Sequence, residues 1–320
     1  MKGILTMRCP TLAELPPPPE GRTGWPWTTE SPQLPDTMPD GGAWPRISIV
    51  TPSYNQGQFI EETIRSVLLQ GYPNLEYIII DGGSTDGAVD IIKKYKLWLT
   101  YWVSERDRGQ SHAINKGFEW ASGALYNWQN SDDILFVSAL SSAAAIFVKH
   151  NAQLICGRRI IRTMTGSAQH VDPALNRDWW NYKLRRGIIA TDASFFSAAL
   201  HSQIGALDER MHYQFDVDYF TRALNCVERI TITEQIFSLL MSHADQKTRQ
   251  TQRSDEYEIT KLRTPPASDN LLLRLLQRVA RTRFHNFVLV VALPFLAKAK
   301  PKITYISFDW LTGRDIVTEI

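Results

Sequence analysis

The run Leu75-Glu-Tyr-Ile-Ile-Ile-Asp-Gly-Gly-Ser-Thr-Asp-Gly87 passes directly from an apolar stretch into a loop of glycines and aspartates. β-Branched and aromatic residues suit a packed extended chain, so residues 75–80 read as a buried strand. The polar loop reads as its exit. The same grammar recurs on either side. Ile47-Ser-Ile-Val50 leads into Thr51-Pro-Ser-Tyr-Asn-Gln-Gly57, and residues 124–128 lead into Asn130-Ser-Asp-Asp133. Helical patterns over residues 59–70, 88–95, 110–121 and 137–150 separate these runs, with another strand at 99–103. Strands alternating with helices predict an α/β fold built of βαβ units around a mostly parallel sheet.

Composition sets the class. A chain of 320 residues with 43% apolar content can bury a sizeable core. A formal charge of +2 is too small to make nucleic acid the main partner. Cys9, Cys156 and Cys226 are too far apart for a disulfide framework or a metal cluster, which fits a reducing cytoplasm. The N-terminus lacks a secretory signal, and no apolar span approaches the ~20 residues that cross a bilayer. Residues 1–44, with Leu15-Pro-Pro-Pro-Pro19 and Gly24-Trp-Pro-Trp27, read as a Pro-rich extended lead. The α/β domain occupies 45–250. Residues 251–320 form a tail, expected to be helical.

In parallel sheets, ligands bind beyond the carboxyl ends of the strands. Three polar loops converge there. Glycines at 82, 83 and 87 allow close backbone approach, and the following helix N-termini favour phosphate. Adjacent carboxylates Asp132 and Asp133 either cap the next helix or hold a hard cation, Mn²⁺ or Mg²⁺, against phosphate oxygens.

Taken together, the runs at 47–57 and 77–87, Asp107-Arg-Gly-Gln-Ser-His-Ala-Ile-Asn-Lys-Gly117 and Asn130-Ser-Asp-Asp133 resemble the family 2 glycosyltransferases of the GT-A (Rossmann-like) fold, of the bacterial cell-surface polysaccharide type. The resemblance covers roughly residues 46–250 and implies a nucleotide-binding half at 45–135 and an acceptor half at 136–250. It implies an inverting enzyme that moves a sugar from a nucleotide diphosphate, UDP favoured, to an acceptor hydroxyl on a lipid-linked or polysaccharide glycan. Carried over by position, Pro52, Tyr54, Asp81, Gly109, Gln110, Ser131 and Asp132 contact the nucleotide sugar. Asp132, Asp133 and His243 hold the metal, Asp216 is the base, and Asp192, Trp179 and Trp180 face the acceptor.

Departures from the family pattern carry information too. Asp81-Gly-Gly-Ser84 has one carboxylate fewer than many relatives, and Asn130 stands where an aspartate is common. The Gln-x-x-Arg-Trp element of processive synthases is absent from 239–248, which favours transfer of a single sugar. Within the tail, Phe287-Val-Leu-Val-Val-Ala-Leu-Pro-Phe-Leu-Ala297 lies between basic flanks. This suits equally a helix at an anionic membrane surface, giving a peripheral enzyme on the inner face, and a helix packed on the domain. The competing readings are an inactive nucleotide-sugar binding module and a nucleotidyltransferase. Intact Asp132, Asp133 and Asp216 count against the first. The lack of a basic, Gly-rich phosphate loop after the first strand counts against the second.

Overall fold

The computed structural model describes residues 8–163, 168–171, 189–243, 302–309 and 314–319, the segments 168–171, 302–309 and 314–319 as backbone only. The first half alternates as expected: β1 (Ile47–Ser53), α1 (Ile60–Leu68), β2 (Leu75–Asp81), α2 (Ala88–Lys94), β3 (Tyr101–Ser104), α3 (Gln110–Phe118) and β4 (Leu125–Trp128). There follow β5 (Asp133–Leu135), α4 (Ala139–His150), β6 (Leu154–Thr163), β7 (Ala168–Val171), β8 (Ser194–Ser197), α5 (Ala198–Ile204), α6 (Phe215–Cys226) and β9 (Arg229–Ser242). Strands β10 (Lys302–Asp309) and β11 (Arg314–Glu319) end the chain.

Among the described residues the strands form one sheet in the order β11-β10-β9-β6-β8-β4-β1-β2-β3, with β5 beside β9 and β7 beside β6. The quartet β3-β2-β1-β4 is wholly parallel. Beyond it the sheet is mixed, because β8 runs antiparallel to both β4 and β6. The parallel expectation therefore holds for β1 to β4 and gives way to a mixed sheet beyond them.

Both faces are buried, and side-chain alternation shows how. Leu75, Tyr77 and Ile79 of β2 enter one core with α1, α2 and α4. Ile78 and Ile80 enter the other with α3, α5 and α6. Trp128 anchors the second core, stacked 5.5 Å from Phe220. Burial pushes the thiols of Cys9 and Cys156 up to about 12, so both serve as packing groups.

The Pro-rich lead has almost no regular structure, as expected, but it is not detached. Cys9, Leu15, Met38 and Trp44 are buried in the first core. The tail departs from expectation: the part described, 302–309 and 314–319, is strand and not helix. Lys302-Ile-Thr-Tyr-Ile-Ser-Phe-Asp309 is rich in β-branched and aromatic residues, and β10 adds in parallel to β9. The apolar run 287–297 lies outside the described residues.

Candidate active site

At the carboxyl edge of β1 and β2, two loops are laced together. Asn55 donates its N–H to Ser84 Oγ at 2.8 Å and its Oδ1 accepts from the Thr85 N–H at 3.0 Å. Gly57 N–H donates to Asp86 Oδ2 at 2.7 Å. Tyr54 stands clear of this lacing, 62% exposed, a flat ring available for stacking. Pro52 is buried within β1. A Cβ on Gly82 would sit 2.7 Å from Asp107 Oδ2 and 3.2 Å from Tyr54 Cδ2, so only glycine lets these side chains close in.

Asp81 is placed differently from a ligand contact. It is fully buried. Its Oδ2 accepts from the N–H groups of Gly83 (3.1 Å) and Ser84 (2.9 Å) and from Ser104 Oγ (2.6 Å), and its Oδ1 accepts from Ser84 Oγ (2.5 Å). The carboxylate folds the loop beneath the cleft.

From the other side, Gly109 opens α3 with a φ of +119° and donates its N–H to Asp107 Oδ1 at 2.8 Å. Gln110 Nε2 then donates to Asn130 Oδ1 (2.8 Å), and Asn130 Nδ2 donates to Asp133 Oδ2 (3.0 Å). The asparagine standing where an aspartate is common is thus a relay between α3 and the acidic loop. An aspartate there could not donate. Ser131 is buried within the loop.

Asp132 and Asp133 go separate ways, as neighbours entering a strand must. Asp132 keeps 18% of its side chain exposed and its Oδ2 lies 2.9 Å from His243 Nε2. The His243 ring packs on Phe59, 4.4 Å between centroids, and its Nδ1 is buried without a partner. Asp133 turns inward, with Oδ1 buried and unpartnered. Burial, then the charges of Asp132 and Asp192, push its carboxyl well above the usual range. Among the described residues no three Asp, Glu, His or Cys side chains gather around one point that could hold a metal ion. This corrects the expected three-residue metal set. What remains is Asp132 with His243, enough for an ion whose other positions are filled by phosphate and water.

Asp216 and Asp218 lie inside the first turn of α6. Asp218 is tied to Arg222 at 2.9 Å, and Arg222 also donates to the carbonyls of Ile204 and Ala206. Asp216 Oδ1 accepts the Val217 N–H at 2.8 Å, and among the described residues it makes no ion pair. Burial raises its carboxyl, partly opposed by its backbone N–H bonds and the charge of Arg159. Asp192 is 1% exposed and pairs with Arg159 at 3.1 Å, which corrects its placement against the acceptor: its neighbours in the turn are held by Asn127, whose Nδ2 donates to the carbonyls of Thr191 and Ser194. Trp179 and Trp180 lie outside the described residues.

Arg159 was not legible from sequence. It follows an irregularity in β6, where the pairing with β9 slips around Gly157 and Arg158. A glycine inside a strand is the available signal for such a feature.

Residues 48–202 match the family model described as Glycosyl transferase family 2. An uncharacterized glycosyltransferase of Mycobacterium tuberculosis is 27% identical over 196 residues, 59% of this chain and 72% of its own length. The putative teichuronic acid biosynthesis glycosyltransferase TuaG of Bacillus subtilis is 40% identical over 94 residues, 28% of this chain and 36% of its own. Among solved structures, S. aureus TarS 1-349 in complex with UDP-GlcNAc superposes with a TM-score of 0.61 at 19% identity, covering 78% of this chain and 77% of TarS 1-349. That likeness shows the GT-A fold.

Proposed function

We propose, from the premise that this chain is a glycosyltransferase of family 2, that it transfers a single sugar with inversion from a nucleotide-diphosphate sugar to an acceptor hydroxyl. A UDP-sugar is the favoured donor, and a cell-surface glycan, lipid-linked or polymeric, is the favoured acceptor. The relatives' names support the reaction class and the kind of product. The observation that carries the mechanism is the division between Asp132, partly exposed beside His243, and Asp216, a carboxylate that among the described residues makes no ion pair.

Tyr54 stacks on the nucleobase, and Asp81 acts through the loop it folds. Asp132 and His243 would hold Mn²⁺ or Mg²⁺ together with the diphosphate. When bound, that ion neutralises charge growing on the leaving phosphate oxygen. Asp216 accepts the proton of the attacking hydroxyl on the opposite face of the sugar. Its raised pKa suits a base, because a carboxylate partly withdrawn from water holds a proton better. The enzyme acts on the cytoplasmic side. Among the described residues no helix is long and apolar enough to cross a membrane, and contact of the tail with an anionic surface remains part of this proposal.

A panel of UDP- and GDP-sugars assayed for hydrolysis and transfer, with Mn²⁺ and with chelator, tests the reading. Turnover of one donor that disappears in Asp132→Ala is expected. Turnover that persists in chelator and in that variant would refute the metal assignment, and no turnover of any donor would refute the transfer.

A further inference from the structure

Strand β5 begins at Asp133 and spans only three residues, with β9 as its partner strand. A strand that short at a sheet margin leaves backbone groups that need partners. They are supplied by side chains. Thr63 Oγ1 of α1 donates to the Asp133 carbonyl at 2.8 Å, and the Leu135 N–H donates to Ser66 Oγ at 3.0 Å. Trp25 of the N-terminal lead donates Nε1–H to the Leu135 carbonyl at 3.0 Å. Just beyond β5, the Ser138 N–H donates to Ser31 Oγ of the lead at 3.0 Å, and Gln70 Nε2 donates to the Phe136 carbonyl at 2.9 Å.

The lead also grips α1 itself. Arg65 is fully buried and donates to the carbonyls of Pro16 (2.8 Å), Pro26 (3.1 Å) and Trp27 (3.0 Å). One residue before α1 starts, Phe59 carries the ring that packs on His243. One element thus holds both halves of the Asp132–His243 pair: α1 braces the strand after Asp132 and the ring beneath His243. The lead locks that element in place. The family match begins at residue 48, so the lead lies outside the shared domain.

We infer that the N-terminal lead is a working part of the active site, with Trp25 and Ser31 as positioning residues that replace a neighbouring strand for β5 and so aim Asp132 at His243. This rests on the reading of Asp132 and His243 as the metal-holding pair. A bond made by a side chain is a point restraint, whereas a strand ladder would hold the whole segment. Loss of one such bond therefore loosens the acidic loop locally.

Trp25→Phe keeps an aromatic ring but loses the N–H together with part of the indole, and Ser31→Ala removes only the hydroxyl, so the Ser31 variant is the cleaner of the two. Each variant is measured for UDP affinity with Mn²⁺ and with chelator, for melting temperature, and for amide hydrogen exchange across residues 130–140. Expected are a loss of about tenfold in Mn²⁺-dependent affinity, the usual effect of disturbing a ligand's support, with chelator affinity unchanged and faster exchange over 130–140. Unchanged exchange overturns the inference, as does an equal loss of affinity in both arms accompanied by a lower melting temperature. Should the wild type show no Mn²⁺ effect, the metal reading falls, and the exchange data still decide whether the lead restrains β5.

Discussion

Two aspartates on one helical turn, Asp216 and Asp218, separate by what they already hold. Asp218 is committed to Arg222, which secures the carbonyls at the end of α5 and beyond. Asp216 has no such commitment. Asp216→Asn should therefore cost on the order of 10²-fold or more in turnover with donor affinity kept, while Asp218→Asn should lower the melting temperature and leave kcat near wild type. Steady-state kinetics with separate donor binding decide it, and the reverse ranking would move the base. Because burial raises the Asp216 carboxyl, activity should fall on acidification through a value above the ~3.9 of a free aspartate. Asp133 yields a stability prediction of opposite sign to the common carboxylate. Its folded-state pKa lies above the unfolded one, so the folded chain holds that proton more tightly. Stability from this site is full below about pH 3.9 and is lost as pH rises toward the folded value, about 1.4 kcal/mol for each unit of elevation. Asp133→Asn removes this penalty. In chelator its melting temperature should exceed wild type by a margin that opens above pH 4, and a variant less stable at every pH would contradict the assignment.

At the scale of elements, the pairing of β6 with β9 shows how a single position places a charge elsewhere. A Cβ at Gly157 would lie 2.3 Å from Phe237 Cδ2 and 2.8 Å from the Gln235 carbonyl, with no room for either to yield cheaply. The register slips there, and the strand resumes with Arg159 directed at Asp192. Gly157→Ala should lower stability by about 1–3 kcal/mol, the usual range for overpacking. It should also reduce turnover by loosening Arg159. Urea unfolding and kcat together test this, and a variant with native stability would show that the slip tolerates a side chain. The contrast with β1 and β2 explains what sequence could and could not give. Those strands are buried on both faces, so composition marks where they lie, although β1 runs three residues past the expected Val50, to Ser53. Tyr54, Asp132 and Asp216 were named through the resemblance, and the structure leaves Tyr54 exposed, sets Asp132 beside His243 and puts Asp216 in the first turn of α6. The inward turn of Asp133, the burial of Asp192 and the bracing role of Asp81 were not, since each depends on partners distant in sequence: Asn130 joined to Gln110, Arg159, and Ser104.

Across the whole molecule, one sheet runs from the nucleotide-binding edge at β3 to the chain's last strand, β11. Strand β9 is the shared member: it carries His243 one residue past its end, pairs with β5 beside the acidic loop, and receives β10 along Arg229–Thr233. The tail is therefore tied to the catalytic domain by backbone pairing, whatever residues 251–301 contact. A chain ending at residue 301 loses β10 and β11 and leaves the edge of β9 from Arg229 to Thr233 unpaired. Bare edges fray or pair with another copy. Because Ile230 and Ile232 are anchored in the second core, fraying should be local and self-association should dominate. Sedimentation velocity should show concentration-dependent dimers for the shortened chain. UDP affinity with Mn²⁺ should stay close to wild type, since Asp132 lies beside the other end of β9, where β5 pairs with residues 238–240, and the β1 and β2 loops lie several strands away. A monomeric shortened chain of unchanged melting temperature would mean that β10 adds nothing to the sheet's stability. Loss of UDP binding would mean instead that the β9 edge is coupled to His243 along the length of the strand.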